Sequence, residues 1–473
     1  MSVLIMPATA PLLRIELRRN AMLWVLPVAI GLFYYHAYRH VMVGPALWNE
    51  RAMSLQNDTL LDFVAPVTGA AAWTGWRESR RAVTEMLTST ARPRWARHLA
   101  TWAASTCWAM AGYVACVGVV YAITARQVAW GGPLWWPAVV GAAGIPVLSA
   151  FGFAAGVLFP SRFTTPLVVV IAFAALLVSD HPGGNSRAAW ALSPLVAGSA
   201  AVGADPNVAI FYHYLPDLPI AQVMFLAGLT MVLLGAIGLP ATSGGWRLRT
   251  GAAALAAAGL AAAGTAVGLA GTARLDAHGM TVIPALHDAA SDQPIRYTPA
   301  CGGSPVQICL HPLYAADLAV VISAVEPVLS QVAGLPGAPA RLSQALPEFV
   351  PGQGSAPPAN PSEFALTGVP GAADDAGALA ANAAFTIGRD VLGVTQGPPA
   401  SGSPAQQAVL SALLTGSPSS QLSGLASQLV PPGSPAAAAA RRFAALPAAA
   451  RHRWLVQHIA ALRDGGVTLA QLP

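Results

Sequence analysis

Seven apolar runs, separated by polar segments, occupy the first 272 residues of the chain. A helix rises 1.5 Å per residue, so about 20 apolar residues cross a hydrocarbon core of about 30 Å. The runs are close to or above this length, except for the fifth, and we predict about seven membrane-spanning helices. They extend from Ala21 to Tyr38, Leu60 to Trp76, Leu99 to Ala125, Trp136 to Phe159, Pro166 to Ser179, Ile220 to Leu239 and Gly251 to Thr272.

The start of the chain permits a second interpretation. Arg18 and Arg19 precede the first run, as a pair of arginines precedes the apolar stretch of a twin-Arg export signal. No small-residue cleavage site follows this run, which ends among tyrosines and Arg39. We therefore favour a retained first helix over a removed signal.

Composition supports a membrane protein. Apolar residues make up 55% of the chain and charged residues only 10%, whereas soluble domains carry roughly a quarter charged residues. The formal net charge of +5 is spread over 473 residues, a surplus too small to indicate nucleic-acid binding. Every basic residue other than histidine is arginine.

The arginines orient the spans. With a cytoplasmic N-terminus, twelve arginines fall in inner segments and four in outer loops before the tail, as the positive-inside rule requires. The inner arginines are Arg14, Arg18, Arg19, Arg77, Arg80, Arg81, Arg92, Arg94, Arg97, Arg162, Arg247 and Arg249, and the outer ones are Arg39, Arg51, Arg126 and Arg187. Seven spans then place the C-terminus outside.

The tail predicts an extracytoplasmic domain over 273–473. Cys301 and Cys309 are eight residues apart and could close a disulfide, which an extracytoplasmic location permits. A competing interpretation is a ligand or metal site formed by Cys309, His311 and Tyr314, and we favour the disulfide because it consumes the thiolates. Helical spacing appears over Leu313–Gly334, Ala372–Leu392 and Ala436–Arg463, the last broken near Pro447, with a loop over Leu335–Pro361. The predicted fold class is all-α: a polytopic helix bundle with a mostly helical tail.

Two pairs of glycines, each four residues apart, lie within the runs. Gly152 and Gly156 belong to the fourth run, and Gly264 and Gly268 to the seventh. Small residues at this spacing permit the close approach of two helices. Either pair is a candidate helix interface.

Catalytic signatures are missing from the sequence. It has no phosphate-binding GxxxxGK[ST] loop, no HExxH zinc motif and no GxSxG nucleophile motif. We expect no enzyme activity, no metal and no cofactor, and an intramembrane enzyme ranks last among our hypotheses. The predicted spans hold almost no ionisable residues, and Asp62 is the exception. This scarcity disfavours a proton-driven carrier, which needs ionisable side chains inside the membrane.

The segment between the second and third runs predicts an amphipathic helix. Val83, Met86 and Leu87 share one helical face, and Arg77, Arg81 and Glu85 share another. Pro93 ends the segment. Such a helix either docks into a partner protein or anchors the loop at the membrane surface, and the pattern alone does not decide between them.

The arrangement of this loop resembles type-2 ABC exporter permeases, in which a loop of the form E-R-x-x-G-T-x-E-x-L-L-x-T-P follows the second span. Glu78, Arg80, Arg81, Thr84, Glu85, Met86, Leu87, Ser89, Thr90 and Pro93 stand in comparable order here. The resemblance covers about the first 250 residues, and the bias toward Ala, Gly, Pro and Arg is typical of a GC-rich bacterial genome, such as an actinobacterial one. Ala82 or Val83 replaces the glycine of the family motif, and Ala91 and Arg92 separate Thr90 from Pro93.

The resemblance implies an architecture and a function. Residues 1–250 would form a six-span permease-like domain, 251–272 a seventh span and 273–473 the extracytoplasmic domain, the last two being additions to the family pattern. The chain would be the multi-pass subunit of an exporter in the cell membrane, a homodimer or a heterodimer with a second permease. A cytoplasmic ABC ATPase would drive movement of a hydrophobic or amphipathic substrate. The implied coupling-helix contacts are Arg77, Glu78, Arg81, Glu85 and Leu87.

The family comparison also implies re-entrant helices within the segment Asp180–Pro219. The rival hypothesis, from a different class, is a membrane-anchored sensor or interaction protein whose extracytoplasmic domain binds a ligand or partner.

Overall fold

A computed structural model of the chain describes most of the predicted spans and much of the tail. It covers residues 9–43, 46–80, 93–128, 130–179, 191–197, 208–241, 246–304, 306–336, 338–346, 348–350, 354–356, 363–365, 388, 391–392, 402–415 and 420–473.

All seven apolar runs are helical. The helices of the bundle are α1 (Thr9–Arg18), α2 (Met22–Phe33), which continues through a π-helical turn (Tyr34–Tyr38) into α3 (Arg39–Val43), α4 (Trp48–Gly75), α5 (Arg77–Arg80), α6 (Arg94–Gln127), α7 (Trp135–Leu158), α8 (Thr164–Ser179), α9 (Val208–Phe211), α10 (Asp217–Ala241) and α11 (Trp246–Gly271). Four helices of the described chain are long and apolar enough to cross a membrane: α6, α7, α10 and α11. These four helices indicate a membrane protein.

The helix of the second apolar run differs most from its prediction. The apolar run begins at Leu60, but α4 begins at Trp48. Asn49, Arg51, Gln56 and Asp58 occupy its first turns and are buried inside the bundle. These polar residues interrupt the apolar pattern of the sequence. Arg51 and Asp58 have hydrogen-bond partners on other helices, and Gln56 has partners in the segment 194–196.

One of the two glycine pairs forms a close helix contact. A Cβ atom on Gly152 would collide with the Thr68 backbone, and one on Gly156 with the Ala72 backbone. These glycines let α7 pack directly on α4. Gly264 and Gly268 on α11 have no non-local atom within 4 Å of the equivalent position, so only the first pair marks a tight interface among the described helices.

The tail domain contains a small β-sheet, so the all-α prediction is incomplete. Strands β1 (Arg274–Leu275) and β2 (Thr281–Val282) form one antiparallel pair, and β6 (Glu348–Val350) and β7 (Gly354–Ala356) form another. The main sheet has the order β3 (Ala300–Gly302), β4 (Gln307–Leu310), β5 (Arg341–Ala345) and β8 (Glu363–Ala365), in which β3–β4 is antiparallel and the other pairs are parallel. Strands β5, β6 and β7 lie where the sequence predicts a loop.

Helices complete the tail domain. They are α12 (Leu318–Val332), α13 (Pro404–Thr415), α14 (Ser420–Leu429), α15 (Pro435–Ala445) and α16 (Ala448–Arg463). The chain breaks at Leu446 and Pro447, as predicted. Much of the predicted helix Ala372–Leu392 lies outside the described residues. Tyr314, Leu413 and Phe443 lie in one core that also takes in Ile210 and Phe211 of α9, so the domain packs on one end of the bundle.

Candidate functional site

An apolar cavity of about 600 Å³ lies inside the helical bundle. Its walls come mainly from α7, α8 and α10, with three residues from the segment 192–194 and one each from α4 and α11. Ser179 and Ser193 are its polar lining residues. Other parts of the wall include Leu60, Leu148, Phe151, Leu176, Phe225 and Leu229. Its volume is typical of pockets that hold small organic ligands.

The cavity reaches the surface of the bundle. Among its lining residues, Ala175 is exposed and Val267 is 47% exposed. A closed, empty cavity of this volume would cost about 14 kcal/mol at roughly 24 cal/mol per Å³, as much as the whole stability of a typical domain. An apolar group that entered from the side would restore the missing contacts. The site therefore fits an acyl chain or a similar hydrophobic group.

A buried segment closes one end of the cavity. Gln222 on α10 donates hydrogen bonds to the carbonyls of Ala191, Ser193 and Val196 at 3.1, 2.8 and 2.9 Å. Gln56 on α4 donates to Pro194 and Val196 at 2.9 and 3.0 Å. These contacts hold the segment 191–197 between two helices. Residues 180–190 and 198–207 are outside the described chain, and the re-entrant helices stay a prediction.

Ion pairs connect three helices at the opposite end. The Arg77 guanidinium donates to both carboxylate oxygens of Glu16 on α1, at 3.0 and 2.8 Å. Glu78 lies 3.5 Å from Arg97 and 3.7 Å from His98 in the first turns of α6. Burial raises the pKa of Glu78, but His98, Arg97 and Arg94 outweigh it, so this pKa lies below its ordinary value. Glu78 therefore stays charged at neutral pH.

The predicted coupling residues fall into two groups. Arg77 and Glu78 are brought together with Glu16, Arg97 and His98, and the structure gives both an intramolecular role. Arg81, Glu85 and Leu87 lie outside the described residues. Contact of all five with a partner protein stays a prediction.

Two ionisable pairs within the bundle escaped the sequence analysis. His36 Nδ1 lies 3.0 Å from Asp62 Oδ1, and His40 Nδ1 lies 2.7 Å from Asp58 Oδ2. The expectation that Asp62 is nearly alone is wrong, because α4 extends to Asp58 and the first span continues past His40. A sequence signal could have found these pairs. Two histidines four residues apart lie at the end of one predicted helix, and two aspartates four residues apart lie at the start of the next.

The tail contains the predicted disulfide. Cys301 and Cys309 are bonded to each other and face each other on strands β3 and β4. His311 is buried among the rings of Trp130, Tyr297 and Phe211, with centroids 4.3, 4.3 and 5.5 Å away. Burial lowers the pKa of His311 to about 4, although a hydrogen bond with the Ile210 backbone raises this pKa by a smaller amount. This ring therefore packs as a neutral core residue rather than joining a site with Cys309.

A second contact joins the tail to the bundle. The buried Asp217 carboxylate at the start of α10 accepts the Ile283 N–H at 2.9 Å and lies 3.4 Å from His287. The other ring nitrogen of His287 lies 3.0 Å from Asp292. His287 thus bridges a buried and a half-exposed carboxylate where the tail meets the bundle.

Comparison with known proteins identifies no relative: neither a family model, nor a curated protein, nor a solved structure matches this chain. The class of protein that the described geometry defines is a helical membrane protein with an appended mixed domain.

Proposed function

We propose that this chain is the membrane-spanning subunit of an ABC-type exporter, coupling ATP hydrolysis by a separate cytoplasmic ATPase to movement of a hydrophobic or amphipathic substrate. The observation that carries the proposal is the apolar cavity of about 600 Å³, which is open at the side of the bundle. A substrate with an acyl chain would enter it from the bilayer without leaving an apolar environment.

The proposed topology has seven spans. The four long apolar helices would each cross the membrane. Three further spans would be the continuous stretch from α2 to α3, the helix α4 and the helix α8. The N-terminus would be cytoplasmic and residues 273–473 extracytoplasmic. The distribution of arginines supports this orientation, and so does the Cys301–Cys309 disulfide, because disulfides persist in oxidising compartments.

The proposed coupling route begins at the loop after α4. An ATPase docked on residues 77–90 would push on this loop when it closes around ATP. The Arg77–Glu16 pair links the loop to α1, and Glu78 links it to the first turns of α6. These ion pairs would pass the movement to the spans, and alternating access would follow from their rearrangement. As in the exporters that the sequence resembles, two permease subunits would form the dimer.

The cavity is tested by filling it. Leu229 lines the cavity, whereas Leu260 on α11 is 62% exposed on the bundle surface. We expect Leu229→Trp to abolish ATP-dependent movement of a fluorescent acyl-chain lipid in proteoliposomes that contain the ATPase, and Leu260→Trp to leave it unchanged. Thermal unfolding of both variants controls for folding. Equal transport by both variants would exclude the cavity as the pathway.

A second candidate function is ligand sensing by the tail domain. A smaller cavity of about 190 Å³ lies where the domain meets the bundle, lined by Trp48, Trp130, His213 and Tyr214 among others. Aromatic and polar groups of this kind recognise small polar ligands. A sensor would show ligand-dependent tryptophan fluorescence that His213→Ala removes, in the chain without any ATPase.

A further inference from the structure

We propose that the His36–Asp62 and His40–Asp58 pairs form a proton-binding site within the membrane-spanning part of the chain. The two histidines lie one helical turn apart, from the π-helical turn into α3, and the two aspartates lie one turn apart on α4. The first span and α4 run antiparallel, so the pairs stack along the helix axes. π-Helical turns inside α-helices are frequently found at functional sites.

In the proposed seven-span topology, on which this inference rests, the pairs lie at membrane depth. Leu60 lies between the two aspartates in sequence and packs on Gly144 of α7. Its Cδ2 atom would be 2.7 Å from a Cβ atom built on that glycine. Gly144 lies nine residues from the start of the membrane-crossing helix α7 and fourteen from its end, which corresponds to roughly 14 and 21 Å at 1.5 Å per residue. Ionisable side chains at such depth are costly and are a functional-site hypothesis by default.

Only titratable groups neutralise these carboxylates within the described chain. The side chains of Asp62 and Asp58 are 8% and 11% exposed. Their hydrogen bonds come from the two histidines and from the Ala37 N–H, which lies 3.3 Å from Asp62 Oδ2. A buried carboxylate without a compensating charge is strongly unfavourable. One proton held within each pair makes that pair neutral overall.

The neighbouring arginines point elsewhere. The Arg39 guanidinium lies over the Tyr35 ring at 5.4 Å. Arg51 donates hydrogen bonds to Thr124 Oγ1 and Gln127 Oε1 of α6 at 3.1 and 2.6 Å. It also interacts electrostatically with the Tyr38 phenol. Neither arginine therefore serves as a permanent counter-ion for the aspartates.

The remaining helices add one titratable neighbour. The Cys116 thiol on α6 interacts electrostatically with Asp62, and α7 and α8 contain no titratable residue. The imidazoles lie on the outer surface of the bundle, where the side chain of His36 is 55% exposed and that of His40 is 68% exposed. His40 is one turn closer to the end of the bundle that carries the tail domain. Protons would enter there and reach His36 second.

The site is tested on the full-length chain alone in lipid nanodiscs, by infrared difference spectroscopy between pH 5 and pH 8. We expect carboxylate bands that the double variant Asp58→Asn, Asp62→Asn loses, because asparagine has nearly the same shape but binds no proton in this range. Asp464→Asn, which removes a surface carboxylate, is the control and should keep these bands.

Two single variants distinguish loss of the site from a folding defect of the double variant. Asp58→Asn and Asp62→Asn should each remove about half of the band intensity, since each pair contributes one titrating unit. Full band intensity in the double variant, or in both single variants, would overturn the proposal. No ATPase is present, so failure here is distinguishable from failure of the exporter proposal.

Discussion

Arg77, two residues past the end of α4, donates two hydrogen bonds to the carboxylate of Glu16 on α1, at 3.0 and 2.8 Å. The side chains are 25% and 13% exposed, and a bidentate guanidinium–carboxylate pair fixes orientation as well as distance. The residue that opens the proposed docking loop is therefore attached to the N-terminal helix.

Arg77→Met should uncouple the loop from α1 while leaving the other four proposed docking residues in place. We expect a loss of about 1–2 kcal/mol in the free energy of unfolding, between the values for exposed and buried ion pairs. An ATPase should still co-purify, but ATP-dependent transport should fall. Glu16→Arg combined with Arg77→Glu should recover transport in part. Loss of ATPase binding in Arg77→Met would instead assign this side chain to the partner interface.

Gly152→Ala should disrupt the contact between α7 and α4. The added methyl group would meet the Thr68 backbone, which cannot move aside as a flexible side chain can. Overpacking of this kind costs typically 1–3 kcal/mol, which a lowered thermal midpoint in detergent would report. Gly264→Ala is the matched control: its methyl group meets no non-local atom within 4 Å, and alanine favours a helix over glycine by about 1 kcal/mol. Equal midpoints for the two variants would contradict the described packing.

The His287 bridge should make the attachment of the tail depend on pH. Burial lowers the pKa of His287, but Asp292 and Asp217 raise it by more, so its folded pKa lies above the ordinary value. The bridge therefore contributes full stability below about pH 6.5 and loses it as pH rises through the folded pKa.

Hydrogen exchange of the Ile283 amide reports this effect, because that amide donates to Asp217. We expect faster opening at pH 8.5 than at pH 6 once intrinsic exchange rates are divided out. His287→Gln should remove most of this difference, whereas His458→Gln, on α16, should not. An unchanged opening rate across the range in the native chain would contradict the bridge.

Reduction should weaken the tail domain. The Cys301–Cys309 bond closes a short loop, and constraining such a loop in the unfolded chain is worth about 2–3 kcal/mol. The double variant Cys301→Ser, Cys309→Ser should unfold at a lower denaturant concentration and should be insensitive to reductant. A Cys107→Ser variant, which removes a free cysteine, should keep the native behaviour.

The sequence predicts the helices of the bundle well because lipid requires long apolar runs, and each of the seven runs is helical. It misses the first turns of α4, where Gln56 bonds to backbone carbonyls of the segment 194–196 and Asp58 to His40 of α3. The strands of the tail are three to five residues long where they form the main sheet, too short for an alternating pattern to stand out. Partners distant in sequence, such as Glu16 for Arg77, follow from helix packing rather than from local spacing.

The exporter assignment rests on a protein partner. The most direct test is co-purification of the full chain in detergent with a candidate ABC ATPase from the same genome, for the wild type, Glu85→Arg and Arg162→Glu. The control changes a charge on another predicted inner loop. A stable wild-type complex that Glu85→Arg disrupts and Arg162→Glu preserves is the predicted result. If the wild type binds no such ATPase, the assignment is contradicted and function must be sought in the tail domain.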